Sequence, residues 1–136
     1  MTREEILRFL NQNPVCHLAT LEAGRPRVRG MFMYRADDQG LLFHTGLRKS
    51  LTLQVKNGAP VEVCFNGNDM QVRISGVTET IDDLALKKEI VSARPFIQPW
   101  VEKYGYELLV VFRVKNCEAA VWTMQTNFEP TAYQKV

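Results

Sequence analysis

Two short blocks of the chain combine basic, hydroxyl and glycine residues in patterns that suit a bound anion. The first block contains Arg27 and Arg29, which stand two residues apart. Because side chains alternate along a strand, this spacing places both guanidinium groups on one face. The planar fork of a guanidinium matches the geometry of a phosphate group. The first block therefore predicts a phosphate contact.

The second block runs from Thr45 to Ser50 and includes Gly46 and Lys49. The free N–H groups of a helix start, a hydroxyl and a Lys would meet there, which is the composition of a phosphate site. The block matches neither a Walker loop nor a G-x-G-x-x-G motif. On chemistry alone an alternative stays open, in which the arginines are solvated charges on an edge strand and Thr45 or Ser50 is an ordinary helix cap.

The other polar residues offer little catalytic machinery. His17 and His44 are the two histidines, and their spacing relative to the cysteines fits no metal site. Cys16 and His17 face opposite sides of a strand and cannot form a dyad. Asp37-Asp38 and Asp82-Asp83 are typical of turns and helix caps. With no G-x-S-x-G elbow in the chain, the sequence predicts neither a hydrolase nor a metal centre.

The hydrophobic pattern predicts strands with three inserted helices. Helices are expected at 2–12, where Thr2 and Glu5 have capping-box spacing, at 48–57, and from Asp82 to about 92. Strands are expected at 15–21, 26–35, 41–45, 61–65, 70–80, 106–114 and 117–124. An irregular segment is expected at 93–100, and a polar tail follows the last strand. Successive hairpins favour an antiparallel α+β or barrel arrangement, with Arg29 inside a strand and Thr45–Ser50 at a strand-to-helix junction.

Length and composition narrow the class of protein. The chain has 136 residues, which suits one domain spanning 1–136. Its net charge is +2 and its basic residues are scattered among acids, which argues against nucleic acid or a membrane as partner. No signal peptide is expected at the N-terminus. The three cysteines lack paired spacing and are expected to be reduced thiols, as in a cytoplasmic protein.

The order of the motifs resembles the FMN-binding split-barrel family typified by pyridoxamine 5'-phosphate oxidase. The matching segments are Ala19-Thr20, Gly24–Arg29, Gly40–Thr45, Lys49-Ser50, Gln54, Pro60–Phe65, Gln71–Gly76, Ala93–Pro95, Trp100-Val101, Phe112–Val114 and Trp122. Each motif is loose by itself, but together they span most of the chain. Within this family the chain is most similar to the short members grouped with nitroimidazole-resistance and general-stress proteins.

The resemblance implies a mainly β, antiparallel split-barrel homodimer, with one FMN in each of two clefts at the subunit interface. It implies that FMN contacts come from Arg27, Val28, Arg29, Gly30 and Met31 on the flavin strand, Thr45, Lys49 and Ser50 around the phosphate, Gln71 at the ring edge, and Trp122 from the partner subunit. His44 and Tyr34 are the nearest candidates for proton delivery or substrate contact.

Departures from the family pattern bear on the substrate. Tyr34 stands where the oxidase has a substrate-binding Lys, and no Arg follows Trp122. Arg94 is kept in an Arg-Pro pair, but the Tyr and Ser expected around it are absent. Because the substrate phosphate would lose most of its anchors, we expect an FMN-dependent oxidoreductase that acts on another small molecule. The alternative is a module that binds flavin, deazaflavin or haem without turnover.

Overall fold

The computed structural model describes all residues from 1 to 136 and contains one eight-stranded sheet with four α-helices. The strands are β1 (Val15–Glu22), β2 (Arg25–Phe32), β3 (Arg35–Asp37), β4 (Gly40–Gly46), β5 (Pro60–Gly67), β6 (Met70–Ile81), β7 (Leu109–Thr123) and β8 (Tyr133–Lys135). The helices are α1 (Arg3–Gln12), α2 (Leu51–Gln54), α3 (Leu84–Ala93) and α4 (Gln98–Tyr104). Every strand pair is antiparallel.

The strand order shows how the sheet curls. The order is β2-β1-β5-β6-β7-β4-β3, with β8 added beside β7, so the edge strands β2 and β3 are consecutive in the chain. Only Met33 and Tyr34 join them, which spans at most about 11 Å. In a flat sheet the two edges would lie about 29 Å apart. The sheet therefore rolls until its two edges come near each other, but β2 and β3 are not paired and the sheet does not close into a barrel. The antiparallel split-barrel prediction is confirmed.

The concave side of the sheet holds the larger core. Twenty buried side chains form it, including Phe43, Phe65 and Phe112. Helix α1 contributes Ile6 and Leu10, both fully buried. Its start is fixed by the capping box that the sequence predicts, because the Thr2 hydroxyl accepts from the Glu5 amide and the Glu5 carboxylate accepts from the Thr2 amide.

A smaller core lies where α3 and α4 cover the other face of the sheet. It consists of Leu42, Ile90, Val91, Ile97, Val101, Leu109 and Val111. The prediction of an irregular segment at 93–100 is wrong in part, since a 3-10 turn at Pro95–Ile97 leads directly into α4. The prolines stand at the first turns of these elements, where a missing N–H costs nothing. This small core holds α4 beside the ends of β2 and β4.

Several predicted boundaries differ from the structure. The strands expected at 106–114 and 117–124 are the single strand β7, which continues through Asn116 in a left-handed conformation with φ of 55°. The register with β6 shifts between Ser75 and Val77, so the residues that resemble a turn form a bulge instead. The strand expected at 26–35 ends at Phe32, and the helix expected at 48–57 is one turn, α2.

Two smaller corrections concern the chain after β6. Asp83 rather than Asp82 caps α3, since its side chain accepts a hydrogen bond from the amide of Leu86. The polar tail ends in β8, which pairs with Glu118–Ala120 of β7. None of the helices has the length and apolar composition that a membrane crossing requires.

Candidate functional site

Strands β2 and β4, the turn after β4 and helix α4 enclose a cleft of about 880 Å³. Residues 29–32 come from β2, 44–46 from β4 and 48–51 from the turn and the start of α2. Three basic residues line the cleft, Arg29, Arg48 and Lys49, and no acidic residue does. The cleft is therefore positively charged at one end, and apolar side chains make up most of its remaining wall.

Arg29 is held in place by buried polar partners. Its guanidinium donates to Gln54 Oε1 at 2.8 Å and to Thr20 Oγ1 at 3.2 Å through Nη1, and to Ser50 Oγ at 3.3 Å through Nη2. Thr20 and Gln54 are both buried. Because these partners are neutral, the charge of Arg29 has no carboxylate within ion-pair distance and is free to meet an anion.

The amide of Gln54 is itself oriented by its neighbours. Its Nε2 donates to Glu22 Oε2 at 2.6 Å, which leaves Oε1 to accept from Thr20 and Arg29. The second oxygen of Glu22 pairs with Arg27 at 3.3 Å. The two arginines of the first sequence block thus belong to one network but differ in role, since Glu22 balances the charge of Arg27 and leaves that of Arg29 unbalanced.

The turn after β4 adds further donors at the basic end of the cleft. The backbone amides of Arg48 and Ser50 have no acceptor within the chain, whereas the amide of Lys49 closes the turn onto Gly46 O at 3.0 Å. The side chain of Lys49 lies across Gly46, with Cγ 3.7 Å from the point where a Cβ would stand. Thr45 lines the same end and is buried. These groups and Arg29 are hydrogen-bond donors and cations of the kind that a phosphate-sized anion requires.

His44 lines the cleft beside this end and has a strongly altered acidity. Burial, followed by the positive charges of Arg94 and Lys49, lowers the pKa of His44 to about 4. Arg94 Nη1 lies 2.7 Å from His44 Nε2. Tyr34 lies outside the cleft lining, and its hydroxyl donates to Glu89 Oε2 at 2.7 Å. Burial and this carboxylate raise the pKa of Tyr34.

An aromatic wall faces the cleft from the segment around α4, and the sequence analysis missed it. Phe96, Trp100 and Tyr104 line the cleft and keep 61%, 59% and 38% of their surface exposed. The rings of Trp100 and Tyr104 are stacked, with centroids 6.4 Å apart, and the guanidinium of Arg48 lies over the Tyr104 ring at 5.0 Å. Their spacing of four residues was the available signal, but two prolines obscured the helix.

The structure separates the predicted site residues into groups. Arg29, Gly30, Met31, Thr45, Lys49 and Ser50 line the cleft together, as does His44. Arg27 and Val28 lie outside that lining. Gln71 and Trp122 stand opposite each other on β6 and β7 and line a separate pocket of about 300 Å³. Within one chain, these last two residues do not reach the basic cleft.

Comparison with models of protein families identifies the family of the chain. The family model described as pyridoxamine 5'-phosphate oxidase matches residues 2–116. The chain belongs to the pyridoxamine 5'-phosphate oxidase family. The matched range contains every residue that lines the basic cleft. The predicted resemblance is thereby confirmed at the level of the family.

One curated relative carries the name of the enzyme for which the family is named. The pyridoxine/pyridoxamine 5'-phosphate oxidase of Shewanella amazonensis is 26% identical over 113 residues, 79% of this chain and 53% of the relative. The chain thus spans about half the length of that curated relative.

Solved structures share the fold over nearly the whole chain. A NimC/NimA family protein from Clostridium acetobutylicum aligns with a TM-score of 0.76 and 20% identity, over 98% of this chain and 92% of its own. General stress protein 26 from Bacillus anthracis aligns at 0.72 and 14%, over 98% and 97%. HutZ, the haem storage protein of Vibrio cholerae, aligns at 0.66 and 14%, over 89% and 93%. At these identities the comparison establishes the fold alone.

Proposed function

We propose that the cleft binds FMN and that the protein is an FMN-dependent oxidoreductase acting on a small molecule. The observation that carries this proposal is the donor cluster at one end of an otherwise apolar cleft. Arg29, Lys49 and the free amides of Arg48 and Ser50 suit a phosphate. Apolar residues such as Met31 and the aromatic wall suit a planar ring system.

FMN, when bound, would supply the electron and hydride chemistry, while the protein supplies binding, orientation and electrostatics. On this proposal Arg29, Thr45, Lys49 and Ser50 hold the phosphate. Gly30 and Met31 line the remainder of the cofactor. The cleft contains no carboxylate that would repel the phosphate, so the charge of the cofactor and the charge of the site agree.

We further propose that the substrate is not pyridoxamine 5'-phosphate. Arg94 is the remaining basic residue of the oxidase pattern. Its side chain is buried and donates hydrogen bonds to the backbone oxygens of Phe32 and Met33. Tyr34, at the position of the family's Lys, is bonded to Glu89. Neither side chain is free to hold a substrate phosphate, so the substrate belongs to another class of small molecule.

The proposed assembly is a homodimer in the cytoplasm. Val15, Val28 and Phe32 at the β2 edge of the sheet keep 69%, 66% and 46% of their surface exposed. Apolar surface of this kind is typical of a subunit interface. On this proposal Trp122 of a second copy reaches the FMN, as the family resemblance implies.

A second candidate function is storage or sensing of a haem or flavin without turnover. The shared fold of the haem storage protein HutZ favours this candidate. The contact between His44 Nε2 and Arg94 opposes it, because that nitrogen is already used as an acceptor and is not free to ligate iron.

The absorbance spectrum of the purified protein, after addition of FMN or haem, tests the two candidates. The FMN proposal predicts the yellow band of oxidised flavin, which bleaches anaerobically with NADH or NADPH and returns with an electron acceptor. A haem Soret band in its place would favour storage. A protein that takes up neither compound would contradict both candidates. Stable yellow flavin that neither donor reduces would contradict an autonomous reductase.

A further inference from the structure

Arg94, the residue that ends α3, is a buried cation held by backbone oxygens. Only 7% of its surface is exposed, and no Asp or Glu lies within ion-pair distance. Its Nη1 donates to Phe32 O at 2.8 Å and its Nη2 donates to Met33 O at 2.6 Å. The guanidinium also lies over the Phe32 ring at 3.9 Å. The centroid of the Tyr34 ring lies 5.3 Å from the same guanidinium. These contacts hold the guanidinium independently of His44.

The contact between Arg94 and His44 determines which ring nitrogen carries the proton. Arg94 Nη1 and His44 Nε2 are 2.7 Å apart. A guanidinium has donors only, so Nε2 must be the acceptor. The proton of the neutral imidazole must therefore be on Nδ1. Arg94 and Lys49 are the charged groups that act on His44, both are cations, and both oppose protonation of the ring.

The second nitrogen of His44 is available to a ligand. His44 lines the cleft, and the contact of its Nε2 with Arg94 is the one hydrogen bond of its ring within the protein. Arg113 Nε is the single fully enclosed side-chain nitrogen or oxygen without a partner, so His44 Nδ1 is not sealed inside the protein. The Nδ1–H group is thus an unpaired donor that solvent or a bound molecule can reach.

We propose that Arg94 is a positioning residue that holds His44 as the Nδ1–H tautomer, so that His44 presents a fixed, neutral hydrogen-bond donor to FMN in the cleft. The acceptor is an oxygen or ring nitrogen of the cofactor, and this half of the inference rests on the proposed function. The assignment changes the expected role of His44. It donates a hydrogen bond at neutral pH and is not a source of protons.

The tautomer can be measured without any flavin. In protein labelled with ¹⁵N-histidine, the long-range ¹H–¹⁵N correlation pattern of each imidazole reports which nitrogen is protonated. The proposal predicts that His44 is neutral with its proton on Nδ1 at pH 7. A His44 that carries its proton on Nε2, or that is charged at pH 7, would overturn the proposal whether or not FMN binds.

Variants of Arg94 test its positioning role. Arg94→Met removes the group that donates to His44 Nε2. His44 is then expected to populate both tautomers, and its pKa is expected to move toward the ordinary value. Arg94→Lys keeps the charge and a donor nitrogen, and it is expected to keep the Nδ1–H form. An unchanged tautomer in Arg94→Met would refute positioning by Arg94. If Arg94→Met does not fold, the wild-type tautomer still tests the proposal, because a proton on Nε2 would exclude a hydrogen bond from Arg94 to that nitrogen.

The contact with FMN is tested by two substitutions of His44. An Asn side chain places an amide donor near the position of Nδ1, whereas Phe fills the space without a donor. The proposal predicts that His44→Phe binds FMN about tenfold more weakly than wild type, as expected for the loss of one hydrogen bond, and that His44→Asn recovers most of this loss. Equal affinities in all three proteins would overturn the donor role. A wild-type protein that binds no FMN would instead contradict the proposed function, while leaving the tautomer result intact.

Discussion

The guanidinium of Arg29 on β2 and the side-chain amide of Gln54 on α2 are joined by a hydrogen bond of 2.8 Å. Gln54 can accept this bond because its amide nitrogen is occupied by Glu22 at 2.6 Å, which turns Oε1 toward Arg29. The arrangement links an arginine at the edge of the sheet to the turn that follows β4. A neutral residue thus orients the guanidinium of Arg29, which we propose binds the FMN phosphate.

Replacement of Gln54 with Leu removes this orienting bond without removing a charge. The guanidinium of Arg29 would lose one of its two buried acceptors, and we expect FMN to bind about tenfold more weakly. Quenching of FMN fluorescence on titration with protein measures the dissociation constant. Gln39→Leu, in the exposed turn between β3 and β4, is the matched control. Equal dissociation constants for the two variants would refute the role of Gln54.

Lys49 provides a second test of the phosphate site. We expect Lys49→Ala to weaken FMN binding by about 1.5–3 kcal/mol, because a charge-assisted bond to the phosphate is lost. The slope of affinity against salt concentration should also become shallower, since one cation fewer takes part. Lys56→Ala, a charge change at an exposed residue shortly after α2, should leave both quantities unchanged. Unaltered affinity in Lys49→Ala would place the phosphate elsewhere.

The sequence predicts the parts of this site that depend on local pattern. Alternation and helix-start chemistry locate Arg29 on a strand and Thr45–Ser50 after one, and the structure brings them together. Gln54 matches the family motif, but nothing in the residue itself indicates that it orients an arginine 25 positions away. Such a role depends on the pairing of β1 with β2 and on the placement of α2, which are long-range features.

Two other differences arise from contacts with residues that are distant in the sequence. Asn116 has the residue type and the positive φ of a turn, yet β6 continues alongside it, so the chain forms a bulge rather than a hairpin. The hydrogen bonds from Arg94 to backbone oxygens could not be predicted from the sequence, because their acceptors, Phe32 O and Met33 O, are more than 60 residues away. An arginine in a family motif therefore does not by itself indicate a free substrate anchor.

The low pKa of His44 makes stability depend on pH in a defined window. Burial and the neighbouring cations lower the pKa of His44 from 6.5, the ordinary value expected in the unfolded chain, to about 4 in the folded protein. As the pH falls from about 6.5 to about 4, the unfolded state binds the proton first. We expect this one group to remove up to about 3 kcal/mol from the free energy of unfolding across that window.

Chemical denaturation at a series of pH values, compared between wild type and His44→Gln, isolates this contribution. The difference in unfolding free energy should change with pH between about 6.5 and 4 and level off outside that window. His17→Gln, at an exposed position of β1, is the matched histidine substitution against which the His44→Gln curve is compared. Parallel curves for wild type and His44→Gln would show that His44 is protonated equally easily in both states.

Trp122 tests whether the two pockets belong to one shared site. In a single chain its indole Nε1 donates to Asn127 Oδ1 at 2.9 Å, and its ring lines the smaller pocket with Gln71. In the proposed dimer this ring meets the FMN held by the other copy. We therefore expect Trp122→Ala both to weaken dimerisation and to reduce FMN retention, whereas a site confined to one chain predicts no effect on FMN.

Light scattering coupled to size exclusion, with the flavin-to-protein absorbance ratio recorded across the same peak, measures both quantities at once. Leu84→Ala, which shortens an exposed apolar side chain at the start of α3, is the control and should leave the dimer and its flavin intact. If Trp122→Ala is monomeric yet keeps one FMN per chain, the cofactor needs no partner residue. If it remains dimeric and loses FMN, the ring contributes to the cofactor site rather than to association, because the interface then survives without it.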